Sequence, residues 1–417
     1  MTKSDIIKAA FKVWGRELYR TTSLTEIALE LGVSKAALYR HFKDKDALLE
    51  AMNPAFFDEC ASFIKDGCEK SLNAATGQEA HLTLMRIIAE YYILNKEAFI
   101  FSLTRVYNNM DRQNAAEEFR KREINFEHLI GRETEDTSYP SAMQLIVATM
   151  IFCVANFHHQ GHEANTNKAG NETPADEVVK NTLSKIESRI KKGLKLDAER
   201  IAKMDYQALE RQVSGTVYED TEENTLLKAV AEAVAEAGPW NASMEMVARR
   251  SGLSKSGLYA HFKNKQDMLD QLFVSEFSRI VNSAKAQLET SDTPEAQLYL
   301  AIMSIVYYLR SRPEILVAIG WIKTRRLELG KGIPALISRT ISSIKLEAVQ
   351  KLDKHMLLEI AQLILFMIVN TLAWWPSKRE GVCTGQNIEW AKNTKEIPNE
   401  SFRFLFRFIA LGLEGLN

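Results

Sequence analysis

Two stretches of this chain decide its fold: GVSKAALYRHFKDKDALL at residues 32–49 and GLSKSGLYAHFKNKQDML at residues 252–269. They align without a gap at an offset of 220 residues, and ten of their eighteen positions are identical. Weaker similarity extends beyond them, because RIKKGL at residues 189–194 resembles RFIALGL at residues 407–413. We therefore predict that the second half of the chain repeats the first as a whole.

The rest of the sequence has the periodicity of amphipathic helices. Apolar residues recur at spacings of three and four, as in the stripes from Ile6 to Leu18 and from Leu298 to Leu309. The alternation typical of β-strands is hard to find, and only 9 Pro and 19 Gly interrupt the chain. These observations predict an all-α protein.

Composition and charge limit the classes of protein to be considered. Apolar residues make up 46% of the chain and charged residues 26%, which are values of a globular protein. The 53 basic and 54 acidic residues leave a net charge of -1, so any nucleic-acid site must be local. The four cysteines are too few and too scattered for a disulfide framework, so we expect reduced thiols and a cytoplasmic location.

No segment has the sequence pattern of a membrane anchor. The first residues lack the apolar core of a signal peptide, so none is expected. The longest apolar run, residues 363–369, is far shorter than the roughly 20 residues that a spanning helix needs. We therefore expect a protein that has no membrane partner.

Each repeated stretch has the signals of two helices joined by a tight turn. In the first copy, Ser23 and Glu26 have the spacing of a capping box that opens a helix. Gly32 suits the left-handed residue that ends this helix, and Ser34 is placed to cap a second helix through His41. Two helices joined by so short a turn form a helix-turn-helix, whose second helix enters the major groove of DNA.

Local charge supports this interpretation. Residues 34–45 carry an excess of three positive charges, and residues 249–265 an excess of five. In a chain of net charge -1, both excesses coincide with the two copies of one motif, as expected for phosphate binding. The alternative is that Tyr39, His41 and their counterparts in the second copy only pack at the helix junction.

The two stretches, with the capped helix before them and the long helical region after them, resemble the TetR family of bacterial transcription regulators. The resemblance covers about 45 residues at the start of each half, whereas the later parts match the family only in length and helicity. It implies two tandem units, each with an N-terminal three-helix helix-turn-helix domain followed by a larger helical effector and dimerisation domain. We expect helix-turn-helix domains at 1–50 and 224–270, regulatory domains at 51–196 and 271–417, and a connecting helix and linker at 197–223.

The resemblance also implies which side chains meet DNA. In the first copy they are Lys35, Ala36, Ala37, Tyr39 and Arg40, with Thr25, His41 and Lys45 on phosphates. In the second copy they are Lys255, Ser256, Gly257, Tyr259 and Ala260, with His261 and Lys265 on phosphates. Glu245 stands where the first copy has Thr25, and an acid would repel phosphate. Met246 replaces Glu26, so the second capping box is incomplete.

Two further groups of residues are weaker candidates for sites. Aromatic and basic side chains could line an effector pocket in each half, although such stripes are more often core: Phe99, Phe101, Arg105, Tyr107, Phe119 and Phe126 in the first half, and Tyr307, Tyr308, Trp321, Arg325 and Trp374 in the second. His158 and His162 have helical spacing and His159 lies between them, but their place at a helix end favours a structural or solvated role over a metal site. We expect no metal, no cofactor and no catalytic residue, because no catalytic motif occurs.

Dimerisation is expected within the chain. Subunits of the family pair through two late helices, and the corresponding segments are strongly apolar: 141–158 with 175–194, and 352–375 with 400–413. Because a large unpaired apolar face is costly in water, we expect the halves to pack as an intramolecular pseudo-dimer, with further homodimerisation left open. One helix over residues 197–213, capped by Asp197, is expected to connect them.

Together these patterns predict a cytoplasmic, sequence-specific regulator of transcription. Its partners would be an operator in double-stranded DNA and a small-molecule effector, and repression is expected because the family mostly occludes promoters. The outward residues of the two recognition helices differ, so we predict an asymmetric operator. The alternative is a helical sensor or scaffold that binds DNA weakly or not at all, because its second helix-turn-helix is degenerate. An enzyme is not expected.

Overall fold

The chain is helical throughout the part that the structure describes. The computed structural model describes residues 2–16, 23–72, 77–103, 112–125, 142–164, 176–215, 222–288, 290–325, 354–380 and 389–416. These residues form α-helices, short 3-10 helices and turns, and no β-strand occurs among them. The prediction of an all-α protein is confirmed.

The helices form two compact units. The first unit comprises Met1–Glu135 and Thr149–Ser188, and the second comprises Asp136–Ala148 and Arg189–Asn417. Segments of the first repeat, including residues 189–196, therefore belong to the second unit. The finer domain boundaries given by the sequence stay a prediction.

The first unit starts with the helices of the first repeated stretch. These are α1 (Lys3–Arg16), α2 (Leu24–Glu30), α3 (Lys35–Tyr39) and the long α4 (Lys45–Leu72). They are followed by α5 (Gly77–Leu94), α6 (Lys96–Phe101), α7 (Arg112–Arg120), the later part of α8 (Ala142–Ala164) and most of α9 (Asp176–Lys192). Helix α1 packs against α6, and α4 packs against α5.

Aromatic side chains fill the core of the first unit. The Phe101 ring is fully buried, and its centroid lies 5.0 Å from that of Phe11, 5.5 Å from Phe56 and 6.1 Å from Trp14. Tilted and edge-to-face pairs at such distances add about 0.5–1.5 kcal/mol each beyond the burial of their area. Phe99 is 2% exposed. Phe99 and Phe101 therefore belong to the core, which is the role that the sequence pattern favoured.

The second unit repeats the same packing with the second stretch. Its helices are α10 (Ala198–Ala202), α11 (Tyr206–Ser214), α12 (Glu222–Asn241), α13 (Met244–Ser251), α14 (Lys255–His261), α15 (Lys265–Leu288), α16 (Pro294–Ser311), α17 (Pro313–Arg325), α18 (Lys354–Glu380), α19 (Glu389–Lys392) and α20 (Asn399–Leu411). Helix α12, which is kinked at Gly238, packs against α17, and α15 packs against α16. These pairings correspond to α1 with α6 and α4 with α5, so the repeat in sequence is also a repeat in packing.

The connecting segment is two helices, so the single helix expected over residues 197–213 is wrong. Asp197 does cap a helix, since its carboxylate accepts hydrogen bonds from the backbone N–H groups of Glu199 and Arg200 at 2.9 and 3.1 Å. That helix, α10, ends at Ala202. Asp205 then caps α11 by accepting from the N–H of Ala208 at 3.0 Å. The second cap divides the segment, because aspartate at an N-cap satisfies the free N–H groups of a new helix.

A buried carboxylate anchors α11 to the core of the second unit. Glu210 is 8% exposed and accepts hydrogen bonds from the Tyr299 hydroxyl at 2.5 Å, from Asn399 at 3.0 Å, and from Nε and Nη2 of Arg403 at 2.8 and 3.0 Å. Burial alone would raise the pKa of the Glu210 carboxyl, but the hydrogen bonds from these three side chains outweigh it and lower the pKa. The connecting segment is thus part of the second unit.

A second buried cluster joins α15 to the corner between α16 and α17. Arg312 donates to Glu314 at 2.9 Å and to Glu276 at 3.4 Å, and the Tyr308 hydroxyl donates to Glu276. Burial, followed by the charge of Glu276, raises the pKa of Tyr308. Tyr308, a candidate for an effector pocket, therefore has its hydroxyl engaged in a structural cluster.

The end of α9 crosses the end of α20 within the second unit. The N–H of Leu194 donates to the carbonyl oxygen of Ile409 at 2.9 Å. Gly193 and Gly412 both have positive φ, at +50° and +68°, and each lies against the backbone of the other segment. A methyl group on Gly193 would lie 2.5 Å from the Ile409 carbonyl oxygen, so this crossing requires glycine.

Helix α18 contains a long apolar segment. The 18 residues Met356–Ala373 have a mean hydropathy of 2.0, and 39% of them are buried. By length and composition alone this segment could cross a membrane, although the core helix of a soluble protein satisfies the same test. Its one charged residue, Glu359, accepts a hydrogen bond from Arg189 at 2.7 Å.

Candidate nucleic-acid interface

Capping residues begin the first helix of each helix-turn-helix, as the sequence predicts. Ser23 accepts a hydrogen bond from the N–H of Glu26 at 3.2 Å, and the Glu26 carboxylate accepts one from the N–H of Ser23 at 2.7 Å. In the second copy, Ser243 accepts a hydrogen bond from the N–H of Met246 at 3.2 Å. The Met246 side chain has no carboxylate that could accept a hydrogen bond from the N–H of Ser243 in return. The complete first box and the half-formed second box are both confirmed.

The turn and the start of the second helix are also built alike in the two copies. Gly32 and Gly252 have φ of +64° and +70°, which is the left-handed conformation that ends a helix. Ser34 and Ser254 then accept from the N–H three residues ahead, at 3.3 and 3.0 Å. Helix α3 was expected to extend through His41, but it ends two residues earlier, at Tyr39. Helix α14 of the second copy does include His261.

Burial separates the inner and outer faces of the two recognition helices, α3 and α14. Leu38 and Leu258 are completely buried, and the phenylalanine four residues after each is also buried. Tyr39 and Tyr259 are 46% and 47% exposed. Nearly half of each tyrosine is therefore accessible from the surface, as a DNA-facing role requires.

The structure leaves most of the predicted DNA-facing residues on the surface. Exposed residues are Thr25, Lys35, Ala36, Tyr39 and Arg40 in the first copy, and Glu245, Lys255, Ser256, Tyr259, Ala260 and His261 in the second. Half-buried residues are Ala37, His41, Lys45, Gly257 and Lys265. Which of them contact DNA stays a prediction.

A surface cleft of about 380 Å³ lies between the start of α2 and α3. Its lining consists of Ser23, Leu24, Thr25, Lys35, Tyr39, Lys43, Asp44 and Lys45. Nζ of Lys35 lies 5.7 Å from the centroid of the Tyr39 ring, and Nζ of Lys45 lies 5.8 Å from that of Trp14. At such distances an ammonium group is attracted to the ring face. The aromatic rings thus help to hold two lysines beside this cleft.

Lys45 and Lys265 occupy matching places at the start of a long helix. Both are half-buried, and burial lowers the pKa of Lys265. A cation at a helix N-terminus opposes the helix dipole, so helix stability does not account for either lysine. Their position is consistent with the phosphate contacts that the family resemblance implies.

Carboxylates in the second copy neutralise two of its cations. Lys255 of α14 forms an ion pair with Glu245 of α13. Arg250 forms ion pairs with Glu236 and, at 3.8 Å, with Glu232, both of α12. The excess of five positive charges counted over residues 249–265 therefore overstates the free charge. Sequence reasoning identified Glu245 as an acid near phosphate but missed these pairs, because the acids lie outside the counted window.

The remaining site candidates are only partly described. Arg105 and Tyr107 lie outside the described residues, as do the side chains of Trp321 and Arg325. His158 is part of the packed interior, since its Nε2 donates to the carbonyl oxygen of Tyr92 at 2.8 Å and its ring lies 5.7 Å from that of Phe99. The side chains of His159 and His162 are not described.

Comparison with known proteins identifies both helix-turn-helix regions. The family model of the bacterial regulatory proteins of the tetR family matches residues 6–52 and again residues 226–272. The uncharacterised HTH-type transcriptional regulator YerO of Bacillus subtilis (strain 168) is 45% identical over 47 residues, which are 11% of this chain and 16% of YerO. The uncharacterised HTH-type transcriptional regulator YuxN of the same organism is 34% identical over 80 residues, which are 19% of this chain and 28% of YuxN. The chain therefore matches less than a third of the length of either relative.

Solved structures of regulators are also similar to part of the chain. The fatty acid degradation regulator FadR of Bacillus halodurans has a TM-score of 0.30 and 18% identity, covering 43% of this chain and 94% of its own. PfmR of Thermus thermophilus, a TetR family regulator, has a TM-score of 0.26 and 23% identity, and the match covers 45% of this chain and 95% of PfmR. The two family-model matches, with the caps and turns described above, identify residues 6–52 and 226–272 as two TetR-type helix-turn-helix units in tandem in one chain.

Proposed function

We propose that this DNA-binding regulator of transcription is a repressor that binds one operator with both of its recognition helices, as a single-chain pseudo-dimer. The observation that carries the proposal is the presence in one chain of two recognition helices with the same caps. Their tyrosines, Tyr39 and Tyr259, are exposed to the same extent, at 46% and 47%. A regulator that normally needs two subunits would thus have both DNA-binding elements in one polypeptide.

The crossing of α9 and α20 supports the pseudo-dimer. Gly193 and Gly412 are matching positions of the two repeats, and each lies against the backbone segment that contains the other. In a two-fold symmetric dimer, residues beside the axis contact their own copies in the partner. Contact between two matching glycines of one chain is what an intramolecular version of that symmetry predicts.

The proposed operator is asymmetric because the two helices offer different chemistry. Both present a lysine and a tyrosine, but Ala36 is matched by Ser256, and Arg40 is matched by Ala260. An alanine methyl group can contact thymine, a serine hydroxyl can donate or accept a hydrogen bond, and arginine can form a bidentate pair with guanine. Each such difference is worth about 1–3 kcal/mol of discrimination between bases.

Repression, a small-molecule effector and a cytoplasmic location complete the proposal. Repression would follow from occupation of a promoter, and the larger helical part of each repeat would hold the effector. The family assignment supports each of these statements as a general property of such regulators.

Titration of fluorescent DNA by fluorescence anisotropy at fixed salt tests the proposed function. Genomic fragments are compared with random duplexes of the same length, and sedimentation gives the number of chains on each bound fragment. We expect one fragment class to bind at least about a thousandfold more tightly than random DNA, with one chain per operator. Equal binding to all fragments, or none at low salt, would instead favour the sensor or scaffold alternative.

A further inference from the structure

The second helix-turn-helix has an acid on the surface that faces DNA if the proposed function holds. Glu245 lies in the first turn of α13, is exposed, and corresponds to Thr25 of the first copy. Its carboxylate pairs with the ammonium of Lys255, the first residue of the recognition helix α14. The pair thus joins the two helices of the motif at the side from which phosphate would approach.

Both partners are held in their charged forms. The hydrogen bond from Lys255 lowers the pKa of Glu245, and the hydrogen bond to Glu245 raises the pKa of Lys255. Both shifts favour the ion pair at neutral pH. A DNA phosphate must therefore displace a carboxylate that is already bound to Lys255.

The first copy has a different arrangement at the same place. Thr25 has no charge, and the Lys35 ammonium lies over the Tyr39 ring at 5.7 Å. Within the described residues, no carboxylate is paired with Lys35. Lys35 is thus available to phosphate without breaking an ion pair, whereas its counterpart Lys255 is not.

We propose that Glu245 is a specificity-determining residue, which withholds Lys255 from non-specific DNA and makes the second motif the weaker and more selective half of the interface. The proposal rests on the proposed function and adds a division of labour to it. The first motif supplies most of the sequence-independent affinity. The second engages fully only where the remaining contacts to the correct half-site compensate for breaking the Lys255–Glu245 pair.

The physical basis is the release of counterions. Each lysine that neutralises a phosphate of duplex DNA contributes about 0.9 to the slope of log affinity against log salt. A lysine already neutralised by an internal carboxylate contributes less, and that carboxylate also repels the phosphates around it. Removing Glu245 should therefore increase both the affinity for random DNA and its dependence on salt.

Exchanging the two matched residues tests the proposal in the full-length chain. Glu245→Thr introduces the residue of the first copy, and Thr25→Glu makes the reverse change. Affinities for the selected operator and for a random duplex are measured at several salt concentrations between about 50 and 200 mM. Because both positions are exposed, circular dichroism and thermal unfolding are expected to match the unmodified chain.

We expect Glu245→Thr to strengthen binding to random DNA by up to about fivefold, as estimated for an exposed ion pair, and to steepen the salt slope by about 0.9. The affinity for the operator should increase less than the affinity for random DNA, so the ratio of specific to non-specific affinity should fall. Thr25→Glu should weaken random binding and flatten its slope. In the Glu245→Thr background, Lys255→Gln should abolish both the tighter binding to random DNA and the steeper salt slope, because the cation that Glu245 neutralises is then absent.

An unchanged salt slope in Glu245→Thr, in a chain that binds its operator, would overturn this proposal and leave the proposed function intact. Absence of DNA binding by the unmodified chain would overturn both. If Glu245→Thr alters thermal unfolding, Glu245→Gln removes the same charge at nearly the same side-chain length, and the same expectation applies to it.

Discussion

Replacement of Glu210 by alanine is expected to destabilise the second unit by about 3 kcal/mol. The carboxylate receives four hydrogen bonds, from Tyr299, from Asn399 and twice from Arg403. Tyr299 is completely buried, so its hydroxyl would lose its acceptor at a site that water does not reach. The connecting helix α11 would at the same time lose its anchor on α16 and α20.

The magnitude follows from these contacts. Leaving a buried hydroxyl unsatisfied costs about 1–3 kcal/mol, and removing one member of a buried ion pair costs about 3–5 kcal/mol. The lower end applies here, because the Arg403 side chain is 24% exposed and can recover hydrogen bonds to water. Asn399 also keeps a partner, the Tyr307 hydroxyl at 3.0 Å.

Urea unfolding followed by tryptophan fluorescence measures this change in the second unit. Five of the six tryptophans belong to that unit, and a Trp14→Phe background removes the signal of the first. Gln207→Ala, at an exposed position of the same helix, is the matched control and should change stability by less than about 0.5 kcal/mol. A loss of stability in Glu210→Ala no greater than that of the control would refute the reasoning. It would also be refuted if the losses of Glu210→Ala and Arg403→Ala simply added in the double variant, because residues in contact are expected to be non-additive.

Three further predictions follow from the same contacts. Glu210→Gln should make the free energy of unfolding depend less on pH in the acid range. The lowered pKa of Glu210 contributes stability that is complete above the ordinary value of 4.5 and is lost as the pH falls through the folded-state pKa. Urea midpoints at a series of pH values measure this dependence. Gly193→Ala should destabilise the second unit by at least about 2 kcal/mol, because φ is positive at Gly193 and the added methyl group would meet the backbone near Ile409. Gly215→Ala is the control, since its methyl group would meet nothing, and an equal loss of stability in this control would contradict the prediction. Lys45→Ala and Lys265→Ala should each weaken binding to all DNA sequences alike and flatten the salt slope by about one unit, whereas unchanged slopes would indicate that these lysines only face solvent.

Much of the helix-turn-helix could be predicted from the sequence because its signals are local. Ser34 and Ser254 act on an N–H three residues away, and Gly32 and Gly252 act through their own backbone angles. Such features depend little on distant parts of the chain. The repeat gave a second, independent copy of each signal.

The features that sequence reasoning missed depend on contacts between distant segments. Glu210 looks like any charged residue of an amphipathic helix, and only the fold brings it to Tyr299 and Arg403. The pairing of Arg250 with acids of α12 escaped a charge count restricted to the motif. The break at Asp205 was missed for a different reason, because an aspartate inside a helical pattern is also common on a solvated face.

Selection of bound fragments from a random pool of DNA, with the unmodified full-length chain, tests the central claim most directly. We expect an imperfect palindrome bound by one chain. Its half-sites should lie about one helical turn, or a small multiple of it, apart. They should share the bases met by lysine and tyrosine and differ where Arg40 is matched by Ala260. A perfect palindrome bound by one chain, or a single half-site bound as tightly as the whole operator, would contradict the account.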